Sequence, residues 1–457
     1  MRGDATRARM WAIALTLLLA PAAAAQQRPA VAPPSGHLER AQAEFQAGRY
    51  AEALEEARRA ADSAPTSVRA LTARASMAEF LGEFNEARTF YDRAVALAPD
   101  DPGVIYHTAS FAVRVGEYDR ALGLLDRLLA LHPRHVRWLF QWAPRVAQAW
   151  LLRENPSLEH IVQIKIDILT EKGDLEQART LARAYAIVKA DQNYCGEAKA
   201  KQQASAGRDE IFKAFRLATL GQPDSADCIW WYGQWLSDEG YVRLGRLMVL
   251  EGTRVTPLAG NKESGVRYVR IRLGGDRDVP KRAEQLFLIA RQRYLRDGDL
   301  EGATRLFDEV IRLAPAFARP YNYRAMIAWD LGDREGALGW LQRGIQADPD
   351  SWRTHRNLGK LLDAVERYPE AETHLKKAVA LFTDDAGGRL ALARVLYAQG
   401  KYDEFVKETR GAVGFLANWN DQVPEVRAFL EKFERWGPGA ALPPAPDPHV
   451  IIGWNYD

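Results

Sequence analysis

The sequence predicts an all-α fold, a right-handed superhelical solenoid of about ten helical hairpins kinked at a divergent middle section. Three observations predict it. A phrase recurs every 34 residues, as in "AGRYAEALEEARRAADSAP", "LGEFNEARTFYDRAVALAP" and "VGEYDRALGLLDRLLALHP". Within the phrase a glycine, an aromatic, an alanine and a proline keep fixed places. The composition, 47% hydrophobic and 27% charged over 457 residues, is that of a folded chain too long for one ordinary core.

The first 25 residues read differently from the rest. Arg2, Arg7 and Arg9 precede the apolar "MWAIALTLLLA", and Ala23, Ala24 and Ala25 stand before Gln26. This order predicts a cleavable secretory signal over 1–25, followed by a linker over 26–33. The alternative, an anchor helix, is disfavoured because the apolar run is about half the ~20 residues that span a bilayer. No cysteine follows the cleavage site, which argues against a lipid anchor there, and no later segment is apolar enough to cross a membrane. The expectation is an exported chain, periplasmic or secreted, with no transmembrane segment after cleavage. Without the signal it carries 59 basic and 59 acidic residues. A neutral balance excludes nucleic acid as the main partner, since duplex binding needs a basic excess.

The amino-terminal array is expected over 34–135. Gly48, Gly82 and Gly116 are followed by Tyr50, Phe84 and Tyr118, by Ala53, Ala87 and Ala121, and by Pro65, Pro99 and Pro133. Each column has a mechanical reason. The glycine permits a tight turn. The aromatic packs beneath it, and the alanine, with Ala41, Ala75 and Ala109 on the preceding helix, lets two helices cross closely. The proline ends the second helix. A carboxy-terminal array over 284–419 keeps the same phase through Gly298, Gly332, Glu366 and Gly400, with Ala303, Ala337, Ala371, Pro315 and Pro349; Phe405, Thr383 and Ala417 depart from it. One such hairpin cannot bury its apolar faces alone, so the units must stack.

These columns at this period resemble the tetratricopeptide repeat family over 34–135 and 284–419. The resemblance implies an all-helical fold and a scaffold that binds proteins or peptides in a concave groove.

Between the arrays, over 136–283, the phase falters. Gly173, with Leu175 and Ala178, starts one unit, Gly207 another, and Gly240 a third that ends at Pro257. Residues 136–158 and about 260–283 read as inserted segments. A short strand over 266–275 is conceivable from its alternation, with helix or loop preferred. Residues 420–436 are expected to form a capping helix, and 437–457 a Pro-rich spacer ending in the apolar tail "HVIIGWNYD", which could dock into a groove of its own or a neighbouring chain.

Groove residues should fall 13, 10, 6 and about 3 places before each turn glycine, on one helix face. In the carboxy-terminal array these are Arg319, Asn322, Met326 and Trp329, then Arg353, Arg356 and Lys360, then Arg394, with Asp330 and Asp363 as the main opposing charges. In the amino-terminal array they are Thr72, Ser76, Tyr106 and Ser110, more neutral and aromatic. The five cations suit an acidic peptide, a terminal carboxylate or an anionic polymer; the competing reading is local pairing with neighbours. A Lys/Asn carboxylate clamp of the kind some family members use is not reproduced at Leu288 and Gln292. Trp230 falls on the groove stripe, whereas Trp231, Tyr232 and Trp235 should be mostly buried; "WLFQW" (138–142) and Trp150 add further tryptophans. Cys195 and Cys228, each twelve residues before its turn glycine, could form a disulfide in an exported chain, although neighbouring helix axes ~8–10 Å apart set against the ~7 Å limit on Cα atoms leave the bond open.

The eight histidines are scattered, and "HPRH" (132–135) lacks acidic or cysteine partners. No cofactor, metal or catalytic residue is expected, because no His-Glu-x-x-His, Gly-x-Ser-x-Gly or phosphate-binding loop occurs. The sequence thus predicts a non-enzymatic adaptor holding protein or peptide partners, acidic ones among the candidates, in an envelope or secretion assembly. The alternative is a component of an export or cell-wall machine that binds polysaccharide or another polyanion.

Overall fold

Turn glycines set the beat of the structure: Gly48, Gly82, Gly116, Gly173, Gly240, Gly298, Gly332 and Gly400 all take positive φ, the left-handed conformation that closes a helix without a Cβ clash. The computed structural model describes residues 36–131, 158–185, 187–188, 192–204, 206–255, 279–383, 385–416 and 431. The expected signal and linker, the body of both inserted segments, Pro257, the conceivable strand, "WLFQW", Trp150, nearly all of the capping helix, and the spacer and tail lie outside the described residues.

Among the described residues all regular structure is helical. The chain divides into two compact units between Gln192 and Asn193, inside the divergent section. The first unit contains α1 (His37–Gln46), α2 (Tyr50–Ser63), α3 (Val68–Phe80), α4 (Phe84–Leu97), α5 (Pro102–Val115), α6 (Tyr118–Leu131), α7 (Leu158–Lys172) and α8 (Leu175–Ala184). The second contains α9 (Tyr194–Gln203), α10 (Arg208–Gly221), α11 (Ala226–Asp238), α12 (Val242–Val255), α13 (Lys281–Gln292), α14 (Leu300–Leu313), α15 (Arg319–Asp330), α16 (Arg334–Ala347), α17 (Trp352–Ala364), α18 (Tyr368–Leu381), α19 (Ala386–Ala398) and α20 (Tyr402–Leu416).

Consecutive helices pair as hairpins, and within each unit hairpin stacks on hairpin in chain order. The stacking is driven by apolar stripes that no single hairpin can cover. In the first unit Ile105, Ala109, Leu125 and Leu128 meet Ile161 and Ile168 in one core, so α7 packs directly on α6 across the residues between them. In the second, Leu338, Leu341, Leu358, Leu362, Leu375, Leu392, Leu396 and Phe405 form a continuous core through three hairpins. Phe405, where the three preceding hairpins carry Ala303, Ala337 and Ala371, is buried there at 2% exposure, so its ring fills the crossing instead of opening it.

Helix starts are capped as their sequences allow. Ser67, Asp101, Asp174, Asn193, Asp299, Asp333 and Ser351 each accept a backbone N–H from the first turn of the helix that follows.

Three boundaries differ from the sequence reading. Gly207 is not a turn glycine: it precedes α10 at φ −57° and ψ 141°, an ordinary extended cap position. The second inserted segment ends earlier than expected, since α13 is already helical at Lys281. The residue before Leu300 is reached through a π-helical turn, Arg293–Asp297, which adds one residue to that hairpin.

Candidate functional site

The side chains expected to line a groove from the first helix of each hairpin have different surroundings in the two units. On α3, the Thr72 hydroxyl donates to the Val68 carbonyl at 2.8 Å and so is spent within its own helix. Ser76 Oγ lies 2.9 Å from the Tyr91 hydroxyl, which donates to Glu79 Oε2 at 2.8 Å. Arg114 of α5 completes the network, its Nε 3.0 Å from Glu79 Oε1. Burial raises the Glu79 pKa, opposed by Arg114 and the Tyr91 hydroxyl. Tyr106, half-buried and bonded to Ser110, also has its pKa raised by burial. Glu79 and Arg114 escaped the sequence reading because the stripe count fixes only the helix face; the helix-to-helix reach that joins them had no signal.

In the second unit Arg319, Arg353 and Arg356 are only 3, 5 and 2% exposed, and Asn322 and Met326 are buried with them. The expected open wall of five cations is therefore corrected: three are sunk into the helix packing. Arg319 Nη1 donates to the Ser237 carbonyl at 2.9 Å. Arg356 Nη1 donates to Asp385 Oδ1 at 3.2 Å, and the Arg353 and Arg356 guanidinium groups lie 4.7 and 4.9 Å from the Trp352 ring centre. Such planar cations tolerate burial when stacked and paired. Asp385 was not among the expected partners, while Asp330, which was, accepts from the Tyr294 hydroxyl at 2.7 Å.

The accessible end of the stripe is formed by Trp329, Lys360 and Arg394, all half-buried. Arg394 donates to Asp363, whose pKa burial raises against the pull of that arginine. Arg334 stacks 3.5 Å above the Trp329 ring. Burial, reinforced by the Arg356 cation and opposed by Asp385, brings the Lys360 pKa down from 10.5 to about 7. The buried Oδ1 atoms of Asn322 and Asn357 and the Nε atoms of Arg356 and Arg394 find no hydrogen-bond partner among the described residues. Those atoms are closed to solvent, so what this end offers an acidic segment is the charge of the half-buried Lys360 and Arg394.

The π-helical turn changes the register one hairpin earlier. Fully buried Ala290, eight residues before Gly298, fills the small position that Ala325 fills seven before Gly332. Counting through the extra residue, the places equivalent to Asn322 and Met326 are Phe287 and Arg291 instead of Leu288 and Gln292. Arg291 Nε donates to the Tyr323 hydroxyl at 3.1 Å, and its Nη1 lies 3.9 Å from Glu239 Oε2.

Trp230 is half-buried against α12, and Tyr232 and Trp235 are buried, stacked at 5.7 and 6.5 Å from Phe215. Trp231 departs from expectation: it is 38% exposed, with the Lys199 ammonium 4.5 Å from its ring centre. Cys195 and Cys228 are joined, with Cα atoms 5.8 Å apart. Helix axes ~8–10 Å apart permit this because each facing Cα stands about 2.3 Å off its axis toward the other helix. Among the described residues no helix is long and apolar enough to cross a membrane, and no group of three or more His, Cys, Asp or Glu side chains converges as a metal site.

Tetratricopeptide repeat models match residues 38–102 and 292–351, and 81–139 and 364–414. The chain carries tetratricopeptide repeats. They fall on the two arrays whose columns are regular, and the helices between, α7 to α12, are three hairpins of the same kind with eroded columns. The tetratricopeptide fold is that of a protein-interaction scaffold. The TPR repeat-containing protein YpiA of Bacillus subtilis (strain 168) is 25% identical over 176 residues, 37% of this chain and 41% of the relative. The chain thus spans about two fifths of that relative's length. Among solved structures, yeast Tom70 is 16% identical, covering 87% of this chain and 95% of its own, with a TM-score of 0.31. MamA is 14% identical, covering 49% and 100%, with a TM-score of 0.26. Scores this low carry no argument about shape or partner.

Proposed function

We propose that this chain is a non-catalytic tetratricopeptide adaptor that holds an acidic segment of a partner protein against the Trp329, Lys360 and Arg394 end of its second unit. The observation that carries the reading is the set of half-buried cations at that end, Arg394, held by Asp363, and Lys360, whose proton is loosely held, beside a Trp329 ring covered by Arg334. A carboxylate arriving there gains charge-assisted hydrogen bonds at little cost in order, because the donors are already fixed by packing.

Export to a periplasm or the exterior is part of the same proposal. It is supported by the signal-like residues 1–25 and by the Cys195–Cys228 bond, which persists in an oxidising compartment.

The test is an array of glutamate- and aspartate-rich peptides beside neutral peptides of equal length and an anionic polysaccharide such as polygalacturonate, probed with the full chain and with Lys360→Glu/Arg394→Glu. Capture of acidic peptides, weakened roughly tenfold or more by the double reversal, is expected. Equal capture of neutral peptides, or binding to the polymer alone, would overturn the reading.

A further inference from the structure

The second unit carries a pair of histidines that neither the groove nor the repeat columns require. His355, on α17, and His374, on α18, come from the two helices of one hairpin, nineteen residues apart in sequence, and the structure sets their Nδ1 atoms 3.1 Å from each other. Their ring centres lie 5.4 Å apart with an interplanar angle of 29°. His355 is buried, and His374 is partly open to solvent. His355 Nε2 lies 3.1 Å from the Pro349 carbonyl oxygen. A carbonyl only accepts, so that nitrogen carries the ring proton, and the bare lone pair of His355 sits on Nδ1, facing His374.

We infer that His355 and His374 form a two-imidazole site for a late first-row divalent ion such as Zn²⁺, with both Nδ1 atoms as ligands. Two nitrogens bound to one ion at ~2.0–2.1 Å in tetrahedral or square geometry stand about 3–3.4 Å apart, the spacing already present. The Pro349 carbonyl holds the His355 ring in the ligating tautomer, as backbone acceptors do behind metal-bound histidines. Water fills the remaining coordination positions from the solvent side at His374. In the empty pair one proton bridges the two Nδ1 atoms from His374; on metal binding it moves through solvent to His374 Nε2, so both rings stay neutral. Asp350 and Glu370 place negative charge near the rings and favour a cation, whereas Lys377 opposes it and is itself 3.7 Å from Asp350. An ion here would clasp α17 to α18 in the hairpin that presents Arg356 and Lys360.

The proposal is tested on the full chain with Zn²⁺ alone, Mg²⁺ serving as the oxygen-preferring control. Calorimetric titration should give a Zn²⁺ site that disappears in His374→Gln, a change at a partly exposed position, and in His355→Asn. Histidine ring ¹⁵N spectra should show both Nδ1 resonances moving together as Zn²⁺ is added, and Tm should rise in the native chain but not in His374→Gln. Zn²⁺ binding that survives His374→Gln, Nδ1 signals that stay in place, or absence of binding by the native chain would each overturn it.

Discussion

Glu366 occupies the turn position that glycine holds in the neighbouring hairpins, and it does so at φ 60°. A side chain in the left-handed region costs roughly 1–2 kcal/mol, and this one is exposed. Glu366→Gly should therefore raise the urea midpoint by an amount equal to about 1 kcal/mol; no change or a loss would show that Glu366 earns its strain in some other way. Tyr91 is the opposite case. Its hydroxyl is the donor that a buried Glu79 relies on, so Tyr91→Phe should destabilise the first unit by about 1–3 kcal/mol, read as a lower midpoint with unchanged m-value. At this scale the sequence was legible only in part. The turn position of Glu366 follows from the 34-residue phase, but the partners of Arg356, Glu79 and His355 do not. Each lies on another helix, and the rotamer that joins them is chosen by packing that no local pattern records.

Hairpins are where the repeat columns become mechanics. In the hairpin of α11 and α12, both small columns are glycine, Gly233 and Gly245, instead of alanine. A methyl group at Gly233 would come within 2.6 Å of the Val249 backbone nitrogen and 2.8 Å of the Gly245 carbonyl oxygen. Backbone cannot step aside as a side chain can, so Gly233→Ala should cost more than the ~1 kcal/mol that alanine gains in a helix. Gly339, in the interior of α16, has nothing within 4 Å of the same point, and Gly339→Ala should stabilise by about 0.5–1 kcal/mol. Thermal melts of the two variants shifting in opposite directions check the crossing directly, and a shift of the same sign would contradict it. The Cys195–Cys228 bond closes a loop of 33 residues, for which chain entropy gives about 3–4 kcal/mol; reduction should lower Tm accordingly. The columns made every regular hairpin legible. The π-helical turn at Arg293–Asp297 was not, because one added residue leaves the apolar pattern intact while moving the groove position from Gln292 to Arg291.

For the whole molecule, a formal net charge of only +2 conceals local asymmetry. The fold class was readable because a 34-residue period with four columns in phase has one physical solution, stacked helical pairs. Which residues share one helix face was readable too, since that follows from helical geometry. How deep each groove residue lies was not, and the burial of Arg319, Arg353 and Arg356 narrows the accessible end to Trp329, Lys360 and Arg394. Lys360 gives that end a pH signature. Its folded pKa of about 7 lies below its unfolded value of 10.5, so the unfolded chain holds the proton more tightly. Its contribution to stability therefore rises with pH from about 7 to 10.5 and its penalty is complete below 7. An acidic ligand favours the charged form and should bind more tightly as pH falls through 7.

The most direct measurement is the fluorescence anisotropy of a labelled glutamate-rich peptide on the full chain at pH 6 and pH 8, repeated with Lys360→Gln. Tighter binding at pH 6, with the difference erased in the variant, is the predicted result. Affinity that ignores pH in the native chain, or a pH dependence that persists without the lysine, would contradict it.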